Sequence, residues 1–255
     1  MTTSRLSQYR ALTQTDRPAF AEACAHARAG FSDAIDLLLI HNEREVRGNQ
    51  PRTALNPLTV LLSVAAWERF VVDLKAICLG RFTGAGKYDE YERRWHGANK
   101  GAKGATALVV LGAASGGRLP DQWSVRTFSG WRGKTPTGSY QLSGANQRVL
   151  TGEIDTWINL RNKVAHWCLP QDDQATAGWE SDADTATIQS GEARITLSLF
   201  VQLVDQAIVA ISDASGLSEA GRLRLPAEWF AATPPAGFRR LETPGVLWDG
   251  QPLPR

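Results

Sequence analysis

Apolar residues at helical spacing, repeated in four long segments, limit what this chain of 255 residues can fold into. The segments run from Pro18 to about Val46, from Asn56 to about Leu79, from about Asn146 to Cys168, and from about Glu192 to Ala214. Apolar side chains three and four positions apart share one face of an α-helix. Because the chain shows no convincing alternation of the kind typical of strands, the sequence predicts the all-α class.

The second of these segments predicts a helix that is apolar on most of its surface. It begins at Asn56-Pro57, a capping residue followed by a proline suited to a first helical turn, and Gly80 follows its last residue. A helix that is apolar on most of its surface lies at the centre of a fold or at an oligomer interface.

Two other regions differ in character from the four segments. Residues 87–143 are less regular and predict a long insertion, with a short polar helix from Tyr88 to Trp95 and an Ala-rich helix from Ala105 to Ala114. Residues 226–255 contain six of the twelve prolines and predict an extended arm docked by aromatic residues. The sequence therefore predicts one helical domain over 1–225 and a Pro-rich C-terminal arm.

The net charge is small, but the charges are segregated along the chain. The 28 Lys and Arg nearly balance the 26 Asp and Glu, which excludes a polycationic nucleic-acid binder. Residues 93–134 hold eight basic residues against one acid, interleaved with aromatic side chains, whereas residues 168–192 hold six acids and no Lys or Arg. Basic and aromatic groups together are typical of single-stranded RNA binding, for which we select Arg126, Arg132 and Lys134. The alternative is a solvated loop whose tryptophans pack on the core.

Cysteine, histidine and hydropathy patterns give no indication of a metal, a cofactor or a membrane. The three cysteines are widely spaced, as in a reduced protein, and the Cys24-x-His26 pair has no second pair at zinc-ligand spacing. The N-terminus lacks an apolar signal-peptide region, and the longest uncharged apolar run, from Thr53 to Trp67, is too short to span a bilayer. We expect a cytoplasmic protein without a cofactor.

The third helix carries the residues that suggest chemistry. Arg161 falls in the middle of its apolar stripe, which is formed by Leu150, Ile154, Trp157, Ile158, Ala165 and Cys168. A buried guanidinium needs a partner, and Glu68 on the second helix is the candidate. Asn162 and His166 are four residues apart and can touch, whereas Arg161 and His166 lie about 140° apart on an ideal helix. These two converge only if the Arg side chain bends round, if the helix distorts, or if a second copy supplies one of them.

Arg161, Asn162 and His166 resemble the active-site motif of the HEPN superfamily, in which an Arg, often followed by Asn, precedes a His by a few residues. The resemblance extends more loosely over residues 18–214. The Trp-Glu-Arg-Phe segment at 67–70 and the motif late in the following helix look like the antiparallel four-helix core of the family, with 87–143 as an insertion.

The resemblance implies a fold, a partner and an activity. HEPN proteins form homodimers whose two motifs meet in a composite cleft, and many are metal-independent endoribonucleases of toxin–antitoxin or antiviral systems. By that resemblance, His166 moves protons, Arg161 holds the scissile phosphate and Asn162 orients either group. We therefore expect RNA ends with a 2′,3′-cyclic phosphate and a 5′-OH, and an antitoxin or defence protein as a further partner.

Other readings stay open. Arg161 can be a purely structural ion-pair partner of Glu68, with His166 a helix-end histidine near the last carbonyl groups. A catalytically inactive HEPN-type module that binds RNA or protein, as a scaffold or antitoxin, is the main functional alternative. A DNA-binding regulator lacks a helix with basic residues along one face, and a metal hydrolase or acyl transferase lacks its motif.

Overall fold

The computed structural model describes residues 9–42, 55–82, 104–117, 124–127, 138–141, 147–166, 188, 190–217, 220–231 and 253. Within them the helices are α1 (Arg17–Asn42), α2 (Leu55–Cys78), α3 (Gly104–Ala114), α4 (Gln147–His166), α5 (Ser190–Ser215) and α6 (Ala220–Leu223). Single turns of 3₁₀-helix span Gln14–Asp16 and Ala227–Phe230. Two short strands, β1 (Ser124–Thr127) and β2 (Gly138–Gln141), form an antiparallel pair in which Val125 lies opposite Tyr140.

Helices α1 and α2 form the most extensive helix–helix contact of the described fold. A small residue allows their close approach, because a Cβ atom on Gly30 of α1 would lie 2.8 Å from the Cβ of Ala66 on α2. That separation is shorter than real Cβ contacts allow. The close crossing of α1 and α2 therefore requires glycine, which has no side chain, at position 30.

Helix α5 lies at the centre of the described fold. It packs against α1, α2, α3, α6 and β1, and every residue from Glu192 to Asp205 is buried. The ring of Phe200 lies 5.4 Å from that of Trp67 on α2, in the tilted arrangement that aromatic pairs favour. The sequence predicts a central role for α2, and the structure gives α5 that role as well.

One described helix is long and apolar enough to cross a membrane by length and composition. Residues Glu192–Ser215 of α5 have a mean hydropathy of 1.7 over their best window, of which 89% is buried inside the fold. A core helix has the same composition, and the packing of α5 accounts for its apolar character.

The all-α prediction is confirmed for the described residues. All four predicted long helices are present, each within a few residues of its predicted start, and the Ala-rich helix is α3. The predicted helix from Tyr88 to Trp95 lies outside the described residues. The β1–β2 pair was not predicted, because segments of four residues are too short to show alternation clearly.

The first residues of the predicted C-terminal arm pack on the helical domain. Trp229 and Phe230 are buried in the main core, and the Phe230 carbonyl accepts a hydrogen bond from the Leu253 amide at 3.0 Å. Residues 227–230 form a 3₁₀ turn where the sequence predicted extended chain. The other aromatic anchors that the sequence suggested, Phe238 and Trp248, lie outside the described residues.

Polar contacts hold the chain that leads to this turn. Asp205 on α5 is fully buried and accepts hydrogen bonds from the Arg224 guanidinium and, at 3.0 Å, from the Leu225 amide. Arg28 on α1 donates to the Arg224 carbonyl at 2.6 Å. These contacts join the segment after α6 to both α1 and α5.

Candidate active site

The apolar stripe of α4 faces the core and positions the residues that follow it. Leu150, Ile154, Trp157 and Ile158 are buried, and α4 packs against α2 and α3. Ala165, predicted in the same stripe, is exposed, whereas the neighbouring Val164 packs partly against the core. The helix therefore passes from buried to accessible surroundings along the segment that contains Arg161.

Arg161 is held by a carboxylate from the neighbouring helix. Its Nη2 donates a hydrogen bond to Oε1 of Glu68 on α2, so the predicted pairing of these two residues is confirmed. The Glu68 side chain is 11% exposed and that of Arg161 is 23% exposed. The pair thus lies at the edge of the core, where a guanidinium is fixed in position yet partly accessible.

The contact with Glu68 uses only part of the guanidinium. An arginine has five N–H donors in a fixed plane. The Nε of Arg161 is buried and has no hydrogen-bond partner, and Glu68 is bonded through Nη2. The Nη1 hydrogens consequently have no acceptor among the described residues and are available to an oxyanion brought by a ligand.

The other predicted site residues are described only in part. Asn162 is half-buried beside Arg161, and His166 is the last residue of α4, with its side chain outside the described part. Arg126 lies on β1 opposite Ser139, but its side chain, like the whole of Arg132 and Lys134, lies outside the described part as well. Among the predicted site residues, the structure thus brings Arg161 and Glu68 into contact.

A second polar cluster joins α1 to α2 and was missed by the sequence reasoning. Nδ1 of His26 lies 2.9 Å from Oδ2 of the fully buried Asp73, which also accepts a hydrogen bond of 3.1 Å from Nε of Arg69. Oε1 of Glu22 lies 3.8 Å from His26 Nε2. Burial raises the pKa of the Asp73 carboxyl, and the hydrogen bonds from His26 and Arg69 oppose that rise. The four-residue spacing of Arg69 and Asp73 on α2 was a signal for the contact between these two residues. Nothing in the sequence indicated that His26 would contact Asp73.

Three further side chains with reactive groups, those of Cys24, Cys78 and Lys75, are buried. Burial raises the pKa of the Cys78 thiol to about 12 and also raises that of Cys24, which leaves both as unreactive thiols. Burial lowers the pKa of Lys75 on α2 to about 8. No group of three or more His, Cys, Asp or Glu side chains suited to a metal ion occurs within the residues that the structure describes.

Comparison with known proteins identifies no relative of this chain. No protein-family model matches the sequence, and no curated protein and no solved structure matches it. Any functional assignment therefore depends on the residues and contacts of the chain itself.

Proposed function

We propose that this chain is a metal-independent endoribonuclease of the HEPN type, acting in the cytoplasm as a homodimer in a toxin–antitoxin or antiviral setting. The observation that carries the proposal is the contact between Arg161 and Glu68. It fixes an inward-facing arginine near the end of α4, and Asn162 and His166 follow within the next five residues. The resemblance of this trio to the HEPN motif supplies the reaction.

The chemistry requires only proton transfer and charge stabilisation, because RNA carries its own nucleophile. His166 removes the proton of the 2′-OH, the 2′-oxygen attacks phosphorus, and the bond from phosphorus to the 5′-oxygen breaks as that oxygen takes a proton from water. The imidazolium then returns its proton to the hydroxide that forms. Arg161 donates from its remaining N–H groups to the phosphate oxygens, where negative charge develops. Glu68 keeps the guanidinium oriented, and Asn162 orients the imidazole or the phosphate. The products are a 2′,3′-cyclic phosphate and a 5′-OH end.

The same proposal assigns RNA binding to the basic part of the 87–143 region. Arg126, Arg132 and Lys134 neutralise phosphates on either side of the scissile bond, and neighbouring aromatic side chains stack on unpaired bases. Strand β1, which carries Arg126, packs against α5 through the buried Val125, so the rigid core supports this part of the region.

Substitution of the motif tests the proposal. We expect Arg161→Ala and His166→Ala to lower the rate of RNA cleavage at least 100-fold each, because each removes a group that acts in the transition state. Arg17→Ala, at an exposed arginine on α1, is the control and should cleave like the wild type. Cleavage should persist in a chelator, and expression of the wild type alone should arrest growth. Undiminished cleavage by His166→Ala would exclude the mechanism.

A second function is favoured by the same ion pair. Because Glu68 already satisfies the charge of Arg161, the pair can serve as a structural link between α2 and α4 in an inactive module that binds RNA or protein. That function predicts RNA or partner binding without cleavage, and equal growth effects of the wild type and both alanine variants.

A further inference from the structure

The guanidinium of the candidate active site is paired before any ligand arrives. Glu68 supplies a full negative charge in direct hydrogen-bond contact with Arg161, and its side chain is more deeply buried than that of the arginine. The two side chains together carry no net charge. A phosphate that approaches Arg161 therefore meets a neutral pair of oriented dipoles and not an isolated cation.

Net charge and directed donors have different effects on a polyanion. Affinity for nucleic acid through counterion release depends on how many phosphates are neutralised, which makes it steeply dependent on salt. Stabilisation of a transition state depends on donors that are fixed toward the position where charge develops. Pairing with Glu68 removes most of the contribution of Arg161 to salt-dependent affinity. The N–H groups of Arg161 that do not bond Glu68 can still stabilise the transition state.

We propose that Glu68 is a positioning residue that compensates the charge of Arg161, so that the site binds RNA and other polyanions only weakly in the ground state. The inference rests on the proposed function, since it concerns the phosphate that this function brings to Arg161. Long-range attraction then comes from other basic residues, and Arg161 contributes mainly to kcat. Without Glu68, Arg161 becomes an ordinary cationic contact for any phosphate backbone, whether of RNA or of single-stranded DNA.

Binding measurements in a cleavage-deficient background test the charge compensation. The His166→Ala chain is compared with His166→Ala/Glu68→Gln, using a labelled single-stranded RNA and a DNA of the same sequence over a range of salt concentrations. Glutamine keeps the size of the side chain and an acceptor for Nη2 but removes the charge. We expect three- to tenfold tighter binding of both nucleic acids at low salt, and a plot of log K against log salt that is steeper by about 0.7.

Two further variants separate this effect from loss of structure. Glu153→Gln removes a charge from α4 itself, about 12 Å along the helix before Arg161, and should change the salt slope by less than half as much above about 0.1 M salt, where the Debye length is about 10 Å or shorter. Glu68→Gln/Arg161→Met removes both charges and should leave the slope of the parent chain unchanged, even if the single Glu68→Gln chain fails to fold. A slope shallower by about 0.7 in the double variant would show that Arg161 acts as an uncompensated cation.

Turnover by the otherwise wild-type Glu68→Gln chain completes the test. We expect kcat to fall about tenfold, because a neutral amide oxygen holds the guanidinium less firmly than a carboxylate does, while KM also falls. Unchanged affinity and salt slope in a folded Glu68→Gln chain would overturn the inference even where the wild type cleaves RNA. If that chain does not fold, the slope of the double variant decides the question. Tighter binding by Glu68→Gln with no cleavage by the wild type would instead retain charge compensation and exclude the nuclease.

Discussion

At the residue scale, the predicted burial of Arg161 was enough to predict its ion-pair partner, Glu68. An arginine centred on an apolar stripe is costly unless a carboxylate meets it, and Glu68 on α2 is the carboxylate that the sequence predicts for this role. The hydrogen bond between them follows from that requirement. His26 and Asp73 carried no comparable signal, because a histidine on a helix is compatible with either exposure or burial. Their contact depends on how α1 and α2 cross, which no local pattern specifies.

The ion pair near the start of the described chain allows a prediction about pH. The guanidinium of Arg10 donates to both carboxylate oxygens of Asp16, at 2.6 and 2.7 Å, and the Thr13 amide donates to the same carboxylate at 2.9 Å. The hydrogen bond from Arg10 is the main cause that lowers the Asp16 pKa to about 2. Because the folded-state pKa is depressed, the stabilisation is complete above about pH 4 and is lost as the pH falls through about 2.

Replacement of Asp16 by Asn should therefore lower the free energy of unfolding at pH 7 by about 1 kcal/mol, a modest value because Arg10 is largely exposed. The difference between the two proteins should shrink as the pH approaches 2. Denaturant unfolding followed by circular dichroism at pH 7, 4 and 2.5 measures it. A difference independent of pH would contradict the assignment of the effect to the carboxylate.

At the element scale, periodicity predicted which segments are helices but not where their faces end. The sequence predicts an apolar stripe on α4 that includes Ala165, yet Ala165 is exposed. A sequence gives the angular position of a residue on a helix, whereas burial also requires a neighbouring element at the same height along the axis. The sequence did not predict the β1–β2 pair, because strands of four residues are too short to show a clear alternation of apolar and polar residues.

The close crossing of α1 and α2 allows a prediction with a matched control. Gly30→Ala places a Cβ atom 2.8 Å from that of Ala66, so the helices must move apart, and we expect a loss of about 1 to 3 kcal/mol of stability. Gly152→Ala on α4 meets no atom within 4 Å and should stabilise the protein by about 0.5 to 1 kcal/mol through helix propensity. Thermal and denaturant unfolding of the two variants compares them directly. Equal effects of the same sign would contradict the close contact.

At the scale of the whole molecule, the described fold leaves part of the last turn of α4 exposed. The helix that carries Arg161 ends at His166, and Ala165 beside it is exposed. Since Arg161 and His166 are about 140° apart on an ideal helix, they meet only if the Arg161 side chain bends round, if the helix distorts, or, as we propose, if a second copy supplies one of them. Helix class and core were predictable from one chain, but a site shared between two chains is specified by neither chain alone.

The proposed site, shared between two copies, predicts complementation between inactive chains. When Arg161→Ala and His166→Ala chains carrying different tags are co-expressed, the mixed dimer retains one intact Arg161 and one intact His166 on opposite protomers. We expect about a quarter of wild-type activity in the mixed population, because half of the dimers are mixed and each has one of two intact pairings. Purification through both tags should enrich the activity. A mixed dimer as inactive as its parents would show that both groups act from the same chain.

The chemistry of the RNA ends tests the central claim most directly. A single-stranded RNA is incubated with purified wild type in the presence of a chelator, and the fragment ends are identified by mass spectrometry beside those from the His166→Ala chain. We predict 2′,3′-cyclic phosphate and 5′-OH ends from the wild type and no fragments from the variant. Fragments with 5′-phosphate ends, cleavage that stops in the chelator, or identical products from both chains would contradict the account.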